Sequence, residues 1–168
     1  MTSAQIAAQL HAAVDEGLQL FGTVDPTRTA QCPDSGGWCA REVVGHLIDS
    51  ACNNHRRFVI GQSSPALVFD GYDGDEWVRV QRYAQVPWRD LVQLWSAYNR
   101  HLAHVIASAP DDTIAQLKSP HNYDQILGEE FAPDQPQTLG ALMQDYIQHL
   151  RHHFDQVRQV MAGEPKHA

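Results

Sequence analysis

Residues 139–161, LGALMQDYIQHLRHHFDQVRQVM, decide the fold. Leu139, Leu142, Met143, Tyr146, Ile147, Leu150, Phe154, Val157 and Met161 return every three or four positions, which lays one apolar stripe along an α-helix. Thr138 stands where an N-cap is wanted, and Gly163 with Pro165 supplies the stop. Nothing in the stretch alternates with period two.

The same period recurs three times upstream. Ile6, Leu10, Val14, Leu18 and Phe21 predict a helix from about residue 3 to 20. WCAREVVGHLIDSACNNHRRFVIG, residues 38–61, predicts a second. Its apolar face is Val44, Leu47, Ile48, Ala51, His55, Phe58 and Val59, and beside it runs a stripe of Glu42, His46, Asp49, Asn53 and Arg56. Cys39 takes the place of a capping Ser or Thr with Glu42 three residues on, a capping box with a weakened cap. Pro87 suits a first helical position. Leu91, Leu94, Trp95, Tyr98, Leu102, Val105 and Ile106 then mark a third helix, which SAPDD stops near residue 109.

Three segments separate these helices. GTVDPTRTAQCPDSGG reads as a loop, residues 62–86 with SSP and DGYDGDEW carry too much Gly, Asp and Ser for a regular element, and an acidic, Pro-rich connection runs to about residue 137. Four amphipathic helices bury their stripes most simply as an all-α four-helix bundle with long crossover connections, one domain over residues 1–168.

Composition narrows the function. Twelve Lys and Arg against 20 Asp and Glu give a net charge of −8, which repels phosphate backbones and anionic membranes. Nucleic acid and membrane are therefore not expected partners. The first residues lack a basic leader with an apolar block, and no apolar run nears the roughly 18 residues of a membrane span. Cys32, Cys39 and Cys52 are odd in number with no C-x-x-C pair, which suits free thiols in the cytoplasm.

Ten histidines are the unusual feature. On a helix, residues i and i+4 lie about 40° apart, so His149 and His153 project side by side and can offer two imidazoles to one ion. His152 turns about 100° from His153, toward water. A metal normally needs a third protein ligand. His46, in the nearly apolar run EVVGHLI, is the best candidate on another helix, while His101 and His104 form a weaker i+3 pair. His55 lies about 180° around the helix from His46 and cannot share its site. Spacing alone does not choose among them.

The pattern W-x-x-x-E-x-x-x-H-L-x-D-S at Trp38, Glu42, His46, Leu47, Asp49 and Ser50 resembles the DinB-like superfamily, in particular its YfiT-type branch of metal-dependent enzymes. So do the FDGYDGDEW stretch, Arg100 in YNRHL, and the closing H-x-x-x-H-x-x-Q at His149, His153 and Gln156. The resemblance implies a four-helix bundle in which His46, His149 and His153 hold one divalent ion, zinc or nickel, per chain. It also implies a homodimer, for which the aromatic content of the third helix (Trp88, Trp95, Tyr98) is a second reason.

An ion held by three neutral imidazoles keeps its full charge and open coordination positions, so it acts as a Lewis acid toward a small-molecule substrate. By resemblance, the expected reaction is transfer to or from a low-molecular-weight thiol of the bacillithiol or mycothiol type. Metal-dependent hydrolysis and non-catalytic metal binding in stress response are the alternatives. Asp49 and Asn53, one and two turns along from His46, are substrate-binding candidates. Arg100 is another, because guanidinium grips carboxylates bidentately.

Overall fold

Three of the four long helices begin where a side chain serves a backbone N–H at the start. Thr2 Oγ1 accepts from the Gln5 amide at 3.2 Å while Gln5 Oε1 accepts from Thr2 N at 2.9 Å. Thr138 Oγ1 accepts from Ala141 N at 3.1 Å. At Cys39 it is Glu42 that reaches back, its Oε2 accepting from Cys39 N at 2.9 Å.

The computed structural model describes residues 1–34, 36–127 and 131–163. Over these it has α1 (Ser3–Thr23), α2 (Ala40–Ser63), α3 (Gly74–Gln81), α4 (Trp88–Ser108), α5 (Asp111–Ala115), α6 (Tyr123–Ile126) and α7 (Leu139–Ala162). A 3-10 turn spans Tyr83–Gln85. Gly163, at φ 76°, ends α7 in the left-handed region where glycine is cheapest. Pro165, the other expected stop, lies outside the described residues. Among the described residues there is no strand, only two isolated bridges, Leu67 with His121 and Lys118 with Gln137.

The four long helices α1, α2, α4 and α7 form the bundle. Each of α1 and α2 packs on both α4 and α7, so α1 and α2 stand at opposite corners. Two features make the interior tight. Phe21 meets Trp88, Trp95 and Phe154 edge-on, with ring centroids 5.5, 5.1 and 5.7 Å away. Gly17 makes room for them: a Cβ there would stand 2.4 Å from Trp95 Cη2 and 2.9 Å from Phe154 Cζ. No described helix is long and apolar enough to cross a membrane.

Several details depart from the sequence reading. The segment 62–86 is not irregular: Asp73 Oδ1 accepts from Glu76 N at 3.0 Å and so caps α3. Pro87 precedes the first helical residue, Trp88, instead of being it. Val59 and Leu94, assigned to apolar faces, are 49% and 53% exposed, because each sits at the margin of its stripe. Trp88 and Trp95 are buried in the core, at 7% and 0% exposure, and of the three aromatic side chains named on this helix only Tyr98 stays half-exposed.

The crossovers are fastened to α2. Residues 64–86 wrap its outer face and bring Tyr83 against Gly45, where a Cβ would lie 2.1 Å from the phenol ring. The α4-to-α7 connection is tied in turn to that wrap, since Asn122 exchanges side-chain bonds with Phe69 N (3.0 Å) and Phe69 O (2.8 Å). Lys118 is buried, and its Nζ donates to Gly61 O at 2.7 Å and Ser64 O at 2.8 Å at the C-terminal end of α2.

Candidate metal centre

Because α2 and α7 are neighbours, His46 faces the i+4 pair His149 and His153. One ring nitrogen from each lies within 4.8 Å of the other two. The ring centroids are 5.3 Å apart for His46 and His149, 4.7 Å for His46 and His153, and 4.5 Å for His149 and His153. His46 and His153 are both 8% exposed. Trp38 covers the cluster, 4.7 Å from the His46 ring and 6.3 Å from that of His153, and Tyr72 stacks 6.3 Å from His46 on the other side. Gly74 lets the start of α3 close over it, since a Cβ there would come within 3.3 Å of the His46 imidazole.

Burial fixes the charge state. It pushes His46 down to about 4. Burial and then the neighbouring His46 push His153 to about 4. His149 falls to about 2, through burial first and then His153 and His46 beside it. All three are neutral at pH 7 and carry lone pairs. Gln156 Oε1 lies 2.7 Å from His153 Nδ1, which makes Nδ1 the protonated nitrogen and leaves Nε2 as the donor atom. His46 Nδ1 and His149 Nε2 are buried and have no hydrogen-bond partner among the described residues. Buried polar atoms are rarely left so unless something else satisfies them. A divalent ion that accepts imidazole nitrogen fits this donor set.

A cavity of about 580 Å³ opens beside His153, lined by Gly37, Trp38, Asp75, His152, Asp155, Gln156 and Gln159. His152 is exposed and borders this cavity, outside the three-nitrogen cluster. The two carboxylates on its walls, with no lysine or arginine there among the described residues, make the approach acidic.

The remaining expected residues lie elsewhere. Asp49 is buried beneath the wrap, where Oδ1 accepts from Tyr83 OH at 2.6 Å and Gln81 Nε2 at 2.7 Å. Burial raises its pKa, those two bonds oppose the rise, and Oδ2 has no partner. Expected as a substrate-binding residue, it is instead covered by residues 64–86 and is not on the walls of the cavity. Asn53 Nδ2 donates to Asp49 O at 2.9 Å, and its side chain borders a different cleft. Arg100, 56% exposed, pairs with Asp15 of α1 at 3.6 Å, and is absent from the cavity walls. His101 and His104 are exposed, with His101 stacked edge-on 5.0 Å from His55, well apart from α7.

A second close group, Cys32, Cys39 and Glu42, serves the start of α2, and burial drives the Cys39 thiol up to about 12. Tyr72 and Gly74 were missed as walls of the centre. Their signal was Asp73 with Glu76 three residues on, the start of a helix inside a segment otherwise rich in breakers.

Comparison with known proteins agrees with this architecture. The family model of the DinB superfamily matches residues 9–157. A presumed metal-dependent hydrolase of Oceanobacillus iheyensis is 27% identical over 96 residues, 56% of this chain. The match covers 55% of that protein, so the chain spans about half the length of the curated relative. YfiT from Bacillus subtilis, described as a probable metal-dependent hydrolase with an unusual four-helix bundle topology, superposes with a TM-score of 0.75 at 17% identity. That superposition covers 94% of this chain and 85% of YfiT, and it establishes the shared fold.

Proposed function

This chain belongs to the DinB superfamily, and from that footing we propose that it is a metal-dependent hydrolase whose ion is held by His46, His149 and His153. The observation that carries the reading is the convergence of three neutral imidazoles from two helices, His46 and His153 buried and His149 half-buried, with His46 Nδ1 and His149 Nε2 left without a hydrogen-bond partner among the described residues. We take residues 1–168 as one domain and the ion as zinc or nickel, both of which suit imidazole. Bound there, it would supply Lewis-acid polarisation of a carbonyl and activation of water.

The chain's own groups have separate duties in this reading. Gln156 holds His153 in the tautomer that presents Nε2. Trp38 and Tyr72 shield the imidazoles from bulk water. Asp75 and Asp155 border the approach and disfavour anionic substrates, so the substrate class is a neutral or cationic small molecule.

Thiol transfer would use the same ion. Hydrolysis stands ahead because the acidic approach has, among the described residues, no cation to receive an anionic thiol, and because both relatives are described as hydrolases. A cytoplasmic location fits the three free thiols. A homodimer would have to use exposed apolar side chains such as Val59, Ile60 and Leu94.

The test is elemental analysis of untagged protein together with turnover of a panel of neutral and cationic esters and amides. One ion per chain, activity lost to a chelator and activity restored by zinc or nickel are expected. A stoichiometric ion with no turnover of any ester or amide, but with turnover of a thiol, would transfer the assignment to thiol chemistry.

A further inference from the structure

A second cleft, of about 270 Å³, lies farther along α2 and shares no residue with the histidine cluster. Arg57 is eleven residues beyond His46, roughly 16 Å along the axis at 1.5 Å per residue. The cleft is walled by Asn53, Arg56, Arg57, Ile60, Val68, Phe69 and Asp70.

Arg57 is the unusual wall. It is only 6% exposed, yet it makes no ion pair with any described residue. Among the described residues its one hydrogen bond runs from Nη2 to the backbone oxygen of Asp70 at 3.0 Å. A guanidinium has five N–H donors, and burying one uncompensated is costly. Burial accordingly holds its pKa below the usual arginine value. The Asp70 carboxylate pairs instead with Arg56, Oδ2 to Nη1 at 3.0 Å, with both side chains largely exposed. Two guanidinium groups against one carboxylate leave the cleft a net charge of about +1, on a chain whose total is −8.

The other walls are apolar. Ile60 and Val68 stand 42% and 55% exposed at the rim, and Phe69 is half-buried between them and the core. A cation at the floor with hydrocarbon around it matches an anion that carries an apolar body, and a guanidinium edge matches a carboxylate best.

We propose that this cleft binds a small organic carboxylate, with the carboxylate on the inward N–H groups of Arg57 and the hydrocarbon part against Ile60, Val68 and Phe69. The volume suits one aromatic ring or a short aliphatic chain and is below the range of larger ligands. The site is independent of the metal reading, because it uses different residues and needs no ion.

Isothermal titration of the full-length chain with benzoate and hexanoate, and with benzamide and hexanamide as neutral counterparts, tests it. One carboxylate per chain is expected, with the amides at least tenfold weaker. Arg57→Gln should weaken benzoate at least tenfold while metal content and helicity stay unchanged. Val68→Asp, an exposed change that folding tolerates, should weaken it several-fold by placing a like charge at the mouth. If Arg57→Gln loses its helicity, the Val68→Asp result decides. Equal binding of amide and carboxylate, benzoate binding untouched by both substitutions, or no binding of either acid would overturn the proposal. So would loss of benzoate binding in His149→Ala, which would put the acid on the metal centre.

Discussion

Nδ1 of His153 and Oε1 of Gln156 lie 2.7 Å apart across one turn of α7. The contact decides which imidazole nitrogen can face His46 and His149. Replacing Gln156 by Leu frees the ring to rotate and to change tautomer, and such outer partners are typically worth 10- to 100-fold in metal affinity. Competition against a chelating dye should show a loss of about tenfold or more. Unchanged affinity would mean that Gln156 plays no part in orienting the ligand.

Ala at His46, His149 or His153 should abolish stoichiometric metal, while Ala at His152 should not. His152 is exposed and outside the cluster, so its loss removes no ligand and costs only its edge-on ring contact with His153 at 5.1 Å. Metal content of the four untagged variants is the measurement, and retention of a full equivalent by any of the first three would refute the ligand set.

Acid should destabilise the chelator-treated protein. Folding holds His46, His149 and His153 at about 4, 2 and 4, against the usual 6.5. Below pH 6.5 the unfolded chain therefore binds more protons than the folded one, and stability falls with pH through that window. Each imidazole contributes a loss of up to about 2 kcal/mol at pH 5. Asp49 opposes the trend, because its raised pKa makes protonation on acidification a relief. Three histidines outweigh one carboxylate, and Tm should drop by about 5 °C or more from pH 7.5 to 5. A flat profile would show that the imidazoles are not held neutral by burial.

Gly45→Ala should cost about 1–3 kcal/mol, because the new methyl overpacks against the Tyr83 ring that the wrap presses onto α2. Gly22→Ala, with nothing within 4 Å, is the control and should be neutral or mildly stabilising. Paired thermal melts decide it, and equal effects of the two changes would contradict the close approach at Gly45.

Those predictions also mark what was legible in the sequence. The four long helices showed themselves through their stripes, since apolar periodicity is a local signal and each stripe is long. His149 and His153 could be paired for the same reason, being on one helix. His46 could not be chosen over His101 and His104 from spacing, because which helices become neighbours is a property of the whole chain, and only resemblance pointed to it. The roof of the centre was the least legible part. Tyr72 and Gly74 act through contacts made across the chain, and the glycines and aspartates around them read equally well as a loop. Arg57 was hidden differently: in NNHRRFV it looks like one of two surface arginines, and its burial comes from residues 64–86 folding over it.

A homodimer should be visible in sedimentation at micromolar concentration, and a species of 18.8 kDa alone would exclude it. With Trp88 and Trp95 inside the core, the exposed Leu94 and half-exposed Tyr98 are what this helix offers to an interface, and Leu94→Lys should break it.

Lys118 sends its ammonium group into the carbonyl end of α2, so the α4-to-α7 crossover terminates the very helix that carries His46 at its other half. The long excursion is a splice between two distant parts of the chain, and trimming it to a tight turn would unplug that helix end. Anyone seeking a minimal scaffold from this bundle would have to keep the lysine and the backbone that delivers it, or supply a new cation for Gly61 and Ser64. Acetylation would have a similar result by chemical means: a neutral amide with one N–H where two carbonyls now share a charged donor.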